Sequence, residues 1–140
     1  MTIRVEIDNV TMAYSKLTIA QGLAILASIA VLINTLNTVV GLFFLPFDTQ
    51  TAGIMFGLTG ILLSIGAFAI SWGQKSVLIS GLLLVTGILI TLGGIAGTGY
   101  FAVIVFPGPI IGVFLGLAVI GMGIVKSVRT GMAIKATATR

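Results

Sequence analysis

Between Leu17 and Val125 the chain carries one basic residue, Lys75, and one acidic residue, Asp48. A soluble domain covers its surface with charged side chains, roughly a quarter of all residues. Here charged residues make up 7% of 140, against 58% hydrophobic. That excludes a soluble globular fold and points to an all-α integral membrane protein. Helices are the expected element because backbone groups in lipid must be satisfied within the segment. Barrel strands would instead show ~10-residue segments of alternating hydrophobicity.

Four apolar stretches lie at about 17–41, 52–72, 76–97 and 105–127. Each supplies the ~20 residues needed to cross a ~30 Å hydrocarbon core. Residues 17–128 therefore read as one transmembrane domain of four helices, expected to run up-down-up-down as a left-handed bundle. Residues 1–16 form an N-terminal tail and residues 129–140 a basic C-terminal tail. Pro107 and Pro109 suit a helix only in its first turn, so the fourth helix is expected to begin near them. Residues 98–108 then read as an outer loop, a re-entrant segment or the start of that helix.

The basic residues cluster in three places: Arg4 and Lys16 before the first span, Lys75 between the second and third, and Lys126, Arg129, Lys135 and Arg140 at and after the end of the fourth. With four spans these places share one side, and the positive-inside rule makes that side the cytoplasm. Both termini are expected inside. Trp72 reads as an interfacial anchor on that side, with Tyr14 as a second. Phe43, Phe44, Phe47, Tyr100 and Phe101 would form the outer aromatic belt. The same basic ends would lie near anionic lipid headgroups. They form no stripe with aromatic partners, so no nucleic acid is expected.

Small residues recur at steps of three and four. The second span carries Gly53, Gly57, Gly60, Ser64, Ala67 and Ser71, and the first Ala20, Ala24, Ala27, Val31, Asn34, Thr38 and Gly41. Ser80, Leu84, Gly87, Thr91, Gly94 and Thr98 form the series in the third span; Gly112, Gly116, Val119 and Gly123 form it in the fourth. A 3.5-residue average is the seam of a left-handed bundle, and small side chains let helix backbones approach closely. Gly108, Gly112 and Gly116 also make a GxxxGxxxG run, read as internal packing or as an oligomerisation face.

Chemistry is sparse. The chain has no histidine or cysteine, and no charged side chain lies well inside a span, where proton relays and ion pathways need one. No catalytic, cofactor-binding or metal-binding residue is assigned. Asp48 reads as a helix N-cap before the second span, or as a site for a cation or a partner's arginine. Asn34, Asn37 and Thr38 share a face of the first span, as interhelical hydrogen-bonding groups or as the lining of a polar path. In "TIRVEIDNV", Ile3, Val5 and Ile7 alternate with Arg4, Glu6 and Asp8, a strand period. That segment reads as a flexible or interfacial tail, or as a strand paired with another chain.

The leading functional expectation is a non-catalytic accessory subunit of a larger membrane complex, for instance a respiratory, oxidase or monooxygenase-type enzyme. Its partners would be other membrane subunits, and its location the plasma membrane of a prokaryote. A small homo-oligomeric transporter or channel is the alternative from another class, and a lipid- or membrane-organising protein is a third.

Overall fold

The computed structural model describes residues 1–39, 49–96 and 107–139, and the side chains within them except at 49, 50, 107–110 and 133. Asp48, Gly41, Thr98 and the outer aromatics Phe43, Phe44, Phe47, Tyr100 and Phe101 lie outside the described residues, as does most of the connection before the fourth span. Every described element is helical. The order is α1 (Thr2–Val39), α2 (Thr49–Ala52), a π-helical segment (Gly53–Leu58), α3 (Thr59–Ile70), α4 (Val77–Ala96) and α5 (Pro107–Ala138). Four of these rods are long and apolar enough to cross a membrane: Thr2–Val39, Gly53–Ile70, Val77–Ala96 and Ile111–Ala138.

The strand alternation read at the N-terminus is corrected. Residues from Thr2 onward belong to α1, an unbroken helix of 38 residues. Ile3, Ile7, Val10 and Tyr14 recur at steps of four and three, so the same apolar residues also satisfy a helical period. The first glycine is Gly22 and no proline occurs before Pro46, so nothing in the sequence stops the span's helix from extending backwards. At 1.5 Å per residue α1 is ~57 Å long, well beyond a hydrocarbon core. Pro107 opens α5, where its missing N–H costs no intrahelical bond. The π-helical segment is continuous with its neighbours, since Ala52 and Thr59 both keep right-handed helical backbone angles.

The helices pack in the order α3, α1, α4, α5: α1 on α3 and α4, and α4 on α5. Contacts of α3 with α4 and α5 are sparse. Ala20, Ala24, Ala27 and Val31 of α1 are buried against Gly60, Ile61, Ser64 and Ala67 of α3 and Ile79, Leu83 and Ile90 of α4. Numbers rise together on α1 and α4: Ser28 hydrogen-bonds Thr86 (2.8 Å), and Thr35 donates to the Leu89 carbonyl (3.2 Å). They run opposite on α4 and α5, where Leu84 meets Gly123, Gly87 meets Gly116 and Gly94 meets Gly112.

Candidate functional site

Two regions gather the chain's polar side chains. The first is built around the turn joining α3 to α4. Ser71 leaves the helical region at φ −87° and ψ 8°, and Gln74 closes the turn by donating its N–H to the Ser71 carbonyl (2.9 Å). Ser76 then starts α4, its hydroxyl accepting from the Ile79 N–H at 3.4 Å. Such an end leaves backbone carbonyls without helical partners. Lys126 of α5 supplies them: its Nζ donates to the Ser71 carbonyl and to the Gln74 carbonyl, the latter at 2.7 Å. The side chain is 3% exposed. An ammonium at a helix C-terminus also meets the negative end of the helix dipole.

Three further contacts tie the same corner together. Gln74 donates its side-chain N–H to the Ala13 carbonyl of α1 at 2.8 Å. Arg129, one turn beyond Lys126, lies over the Trp72 ring at 4.6 Å, within cation–π range. Trp72 also receives Phe68 edge-on, with ring centroids 4.9 Å apart. Residues from α1, α3 and α5 thus meet at one end of the protein, although α3 and α5 hardly touch elsewhere. Trp72 is half exposed; Lys16 and Lys75 are exposed near the same end. The sequence marked Lys126, Arg129 and Trp72 as orienting residues, but nothing in it showed that they bind one another's elements. Gln74 carried no signal at all.

The second region lies in the other half of α1. Asn37 is 3% exposed and Asn34 half-buried, and among the described residues their Oδ1 atoms have no hydrogen-bond partner. Thr38 turns its hydroxyl back onto the Asn34 carbonyl at 2.9 Å. Across from Asn34 runs the π-helical segment, where a Cβ placed on Gly57 would sit 3.8 Å from the Asn34 Nδ2. π-Segments inside α-helices often mark functional positions because they break the regular carbonyl ladder. Below this level the interior hydroxyls are committed to packing: Ser28 with Thr86, and Ser64 with the Gly60 carbonyl at 2.8 Å.

The small residues divide by position. Gly60 faces Val31 and the Ala27 carbonyl, whereas Gly53 has nothing within 4 Å of a Cβ. Gly87, Gly94, Gly112 and Gly116 line the α4–α5 contact, joined by Gly123 against Leu84. Gly108 sits in the first turn of α5, and its surroundings lie outside the described residues. Among the described residues, no three His, Cys, Asp or Glu side chains come together. The chain matches no protein-family model, no curated protein and no solved structure.

Proposed function

We propose that this chain is a multi-pass accessory subunit of a larger membrane complex and contributes helix packing and assembly rather than chemistry. The observation that carries this reading is how little of each rod the packing covers: 22% of the most apolar window is buried in the first, second and fourth spans, and 33% in the third. The broad apolar faces left over are surfaces that other subunits can cover. Ordinary helix association in lipid relies on such faces, with small residues and hydroxyls as the contacts.

In this reading the helices alternate in direction as a left-handed bundle in a prokaryotic plasma membrane. The clasp of Lys126, Arg129 and Trp72, with Lys16 and Lys75, marks the cytoplasmic surface, where basic side chains meet anionic headgroups. Gly73 tests the topology, because it is exposed and a Cβ there meets nothing within 4 Å. Gly73→Cys should stay unlabelled when intact cells are treated with a membrane-impermeant thiol reagent, and should label after lysis. Labelling from outside would invert the protein.

The side-chain oxygens of Asn34 and Asn37, unpartnered among the described residues, favour a second reading, a homo-oligomeric channel or carrier with a polar path along α1. The two readings part on purification and flux. An accessory subunit should leave native membranes in mild detergent with other membrane subunits in fixed ratio, and alone in liposomes it should pass no solute. Selective flux through liposomes holding this chain alone, abolished by Asn34→Leu or Asn37→Leu, would replace the first reading with the second.

A further inference from the structure

The corner where α5 meets the turn after α3 holds positive charge that nothing beside it neutralises. Lys126 is buried there on two carbonyls and, among the described residues, has no carboxylate partner. Carbonyls supply dipoles but no counter-charge, and a buried charge without one is costly. Arg129 follows one turn along α5, and like charges one turn apart destabilise a helix. Its guanidinium rests on the Trp72 ring at 4.6 Å; among the described residues it has no hydrogen-bond or ion-pair partner. Stacking leaves the planar edge of N–H groups open, and that edge takes two oxygens of a phosphate at once. Of the two acids on α1, Asp8 is the nearer, yet it stands ~7.5 Å further out along the helix than Ala13, which Gln74 reaches.

The level of the corner decides which anion is within reach. The apolar rods on either side of the turn end at Ile70 and begin at Val77, so the turn lies at the edge of the hydrocarbon, beside the headgroups. Below Arg129, the residues Val125, Gly121 and Leu117 descend α5 in steps of four and share its face. Val125 is 46% and Leu117 51% exposed, and a Cβ on Gly121 would meet nothing within 4 Å among the described residues. An unneutralised cationic head above an open apolar row matches a phospholipid from phosphate to acyl chain. A free phosphate would use only the upper part. An acidic peptide at the membrane surface would leave the lower part bare.

We propose that Arg129, on its Trp72 platform, and the buried Lys126 hold the phosphate of one anionic phospholipid whose acyl chain lies along Val125, Gly121 and Leu117. Basic pockets between membrane helices bind acidic headgroups in this way. The headgroup supplies the counter-charge that Lys126 lacks and relieves its repulsion with Arg129. The lipid is then a ligand at one place, distinct from the diffuse attraction of basic chain ends to an anionic surface. The proposal rests on the placement of this corner at the membrane surface in the reading above, and not on the accessory-subunit role.

Trp72, the chain's only tryptophan, reads the site directly. The full chain is placed in phosphatidylcholine nanodiscs doped with either phosphatidylglycerol or phosphatidylcholine that carries bromine on the acyl carbons nearest the headgroup. Bromine quenches an indole only at close range. Brominated phosphatidylglycerol should reach Trp72 with at least tenfold preference over brominated phosphatidylcholine, and saturate at one lipid per chain. Arg129→Gln should lower that preference about fivefold, which is the ~1 kcal/mol a basic residue contributes near anionic lipid. Arg129→Lys, which keeps the charge but loses the fork, should fall between; Lys135→Gln, away from the corner, should change it less than twofold. Circular dichroism checks that each variant keeps its helices. Equal quenching by the two lipids, or a preference untouched by Arg129→Gln and Arg129→Lys, would overturn the proposal while leaving the corner at the membrane surface. No quenching by either lipid would overturn that placement as well. Loss of the preference on adding inorganic phosphate would give the site to a free anion, and loss on adding a glutamate-rich peptide would give it to an acidic protein segment; either result replaces the lipid.

Discussion

Gly116→Leu should abolish cooperative unfolding of the protein in mild detergent, while Gly121→Leu leaves it unchanged. A Cβ at Gly116 would lie 2.8 Å from the Thr91 nitrogen and 3.0 Å from the Gly87 carbonyl. Gly87 is confined in return: a Cβ there would lie 2.7 Å from the Ile120 nitrogen and 3.0 Å from the Gly116 carbonyl. The obstacles are backbone atoms, which cannot rotate away as a side-chain tip can. Overpacking costs ~1–3 kcal/mol when neighbours can adjust, and here the helices would have to separate. Gly121 has nothing within 4 Å, so leucine there extends into open space and gains helix propensity. In the second span the same logic ranks Gly60→Leu, on α3, as more damaging than Gly57→Leu, in the π-helical segment. The measurement is thermal unfolding followed by circular dichroism; wild-type behaviour of Gly116→Leu would mean that α4 and α5 do not meet face to face.

Lys126→Met should lower stability by ~2–4 kcal/mol, and Lys135→Met by almost nothing. Methionine keeps the length and apolar stem of the lysine but cannot donate. Hydrogen bonds to charged groups contribute ~1.5–3 kcal/mol each, and an unpaired carbonyl left behind adds its own desolvation cost. Lys126 supports two carbonyls at the end of α3, so the effects partly overlap rather than add. Lys135 lies exposed on the projecting part of α5. High salt should leave the difference between the two variants in place, because screening acts weakly on a buried pair. A Lys126→Met protein as stable as wild type would mean that the end of α3 and α5 are held together by other contacts than the Lys126 hydrogen bonds.

The four apolar rods were legible because bilayer thickness, run length and charge depletion all impose the same reading. The N-terminal segment was not, for a definable reason. Over seven residues, Ile3, Val5 and Ile7 satisfy a period of two while Ile3, Ile7 and Val10 satisfy a period near 3.6; a short window cannot separate them. What decides is the absence of any breaker between Thr2 and the span, a property of the longer stretch. The step pattern of the second span runs through buried positions at Gly60, Ser64, Ala67 and Ser71, yet a Cβ at Gly53, in the same register, would meet nothing within 4 Å among the described residues. Periodicity identifies a face but not how far along it a neighbour extends. Lys126 is the clearest limit. From sequence it is one of four basic residues at the C-terminal end, and only the approach of α5 to the turn after α3 distinguishes it from Lys135.

Trp72 is the chain's only tryptophan, and it sits between the Phe68 edge and the Arg129 guanidinium. Intrinsic fluorescence of this protein is therefore a report from one corner. A denaturation curve read from it follows the release of α5 from the turn after α3, and is silent about the Asn34 end of α1. Helix content measured by circular dichroism averages over all the rods. If the two curves coincide, the clasp and the glycine-lined contact melt as one cooperative unit; if fluorescence moves first, the molecule opens from its basic end while its helices stay formed.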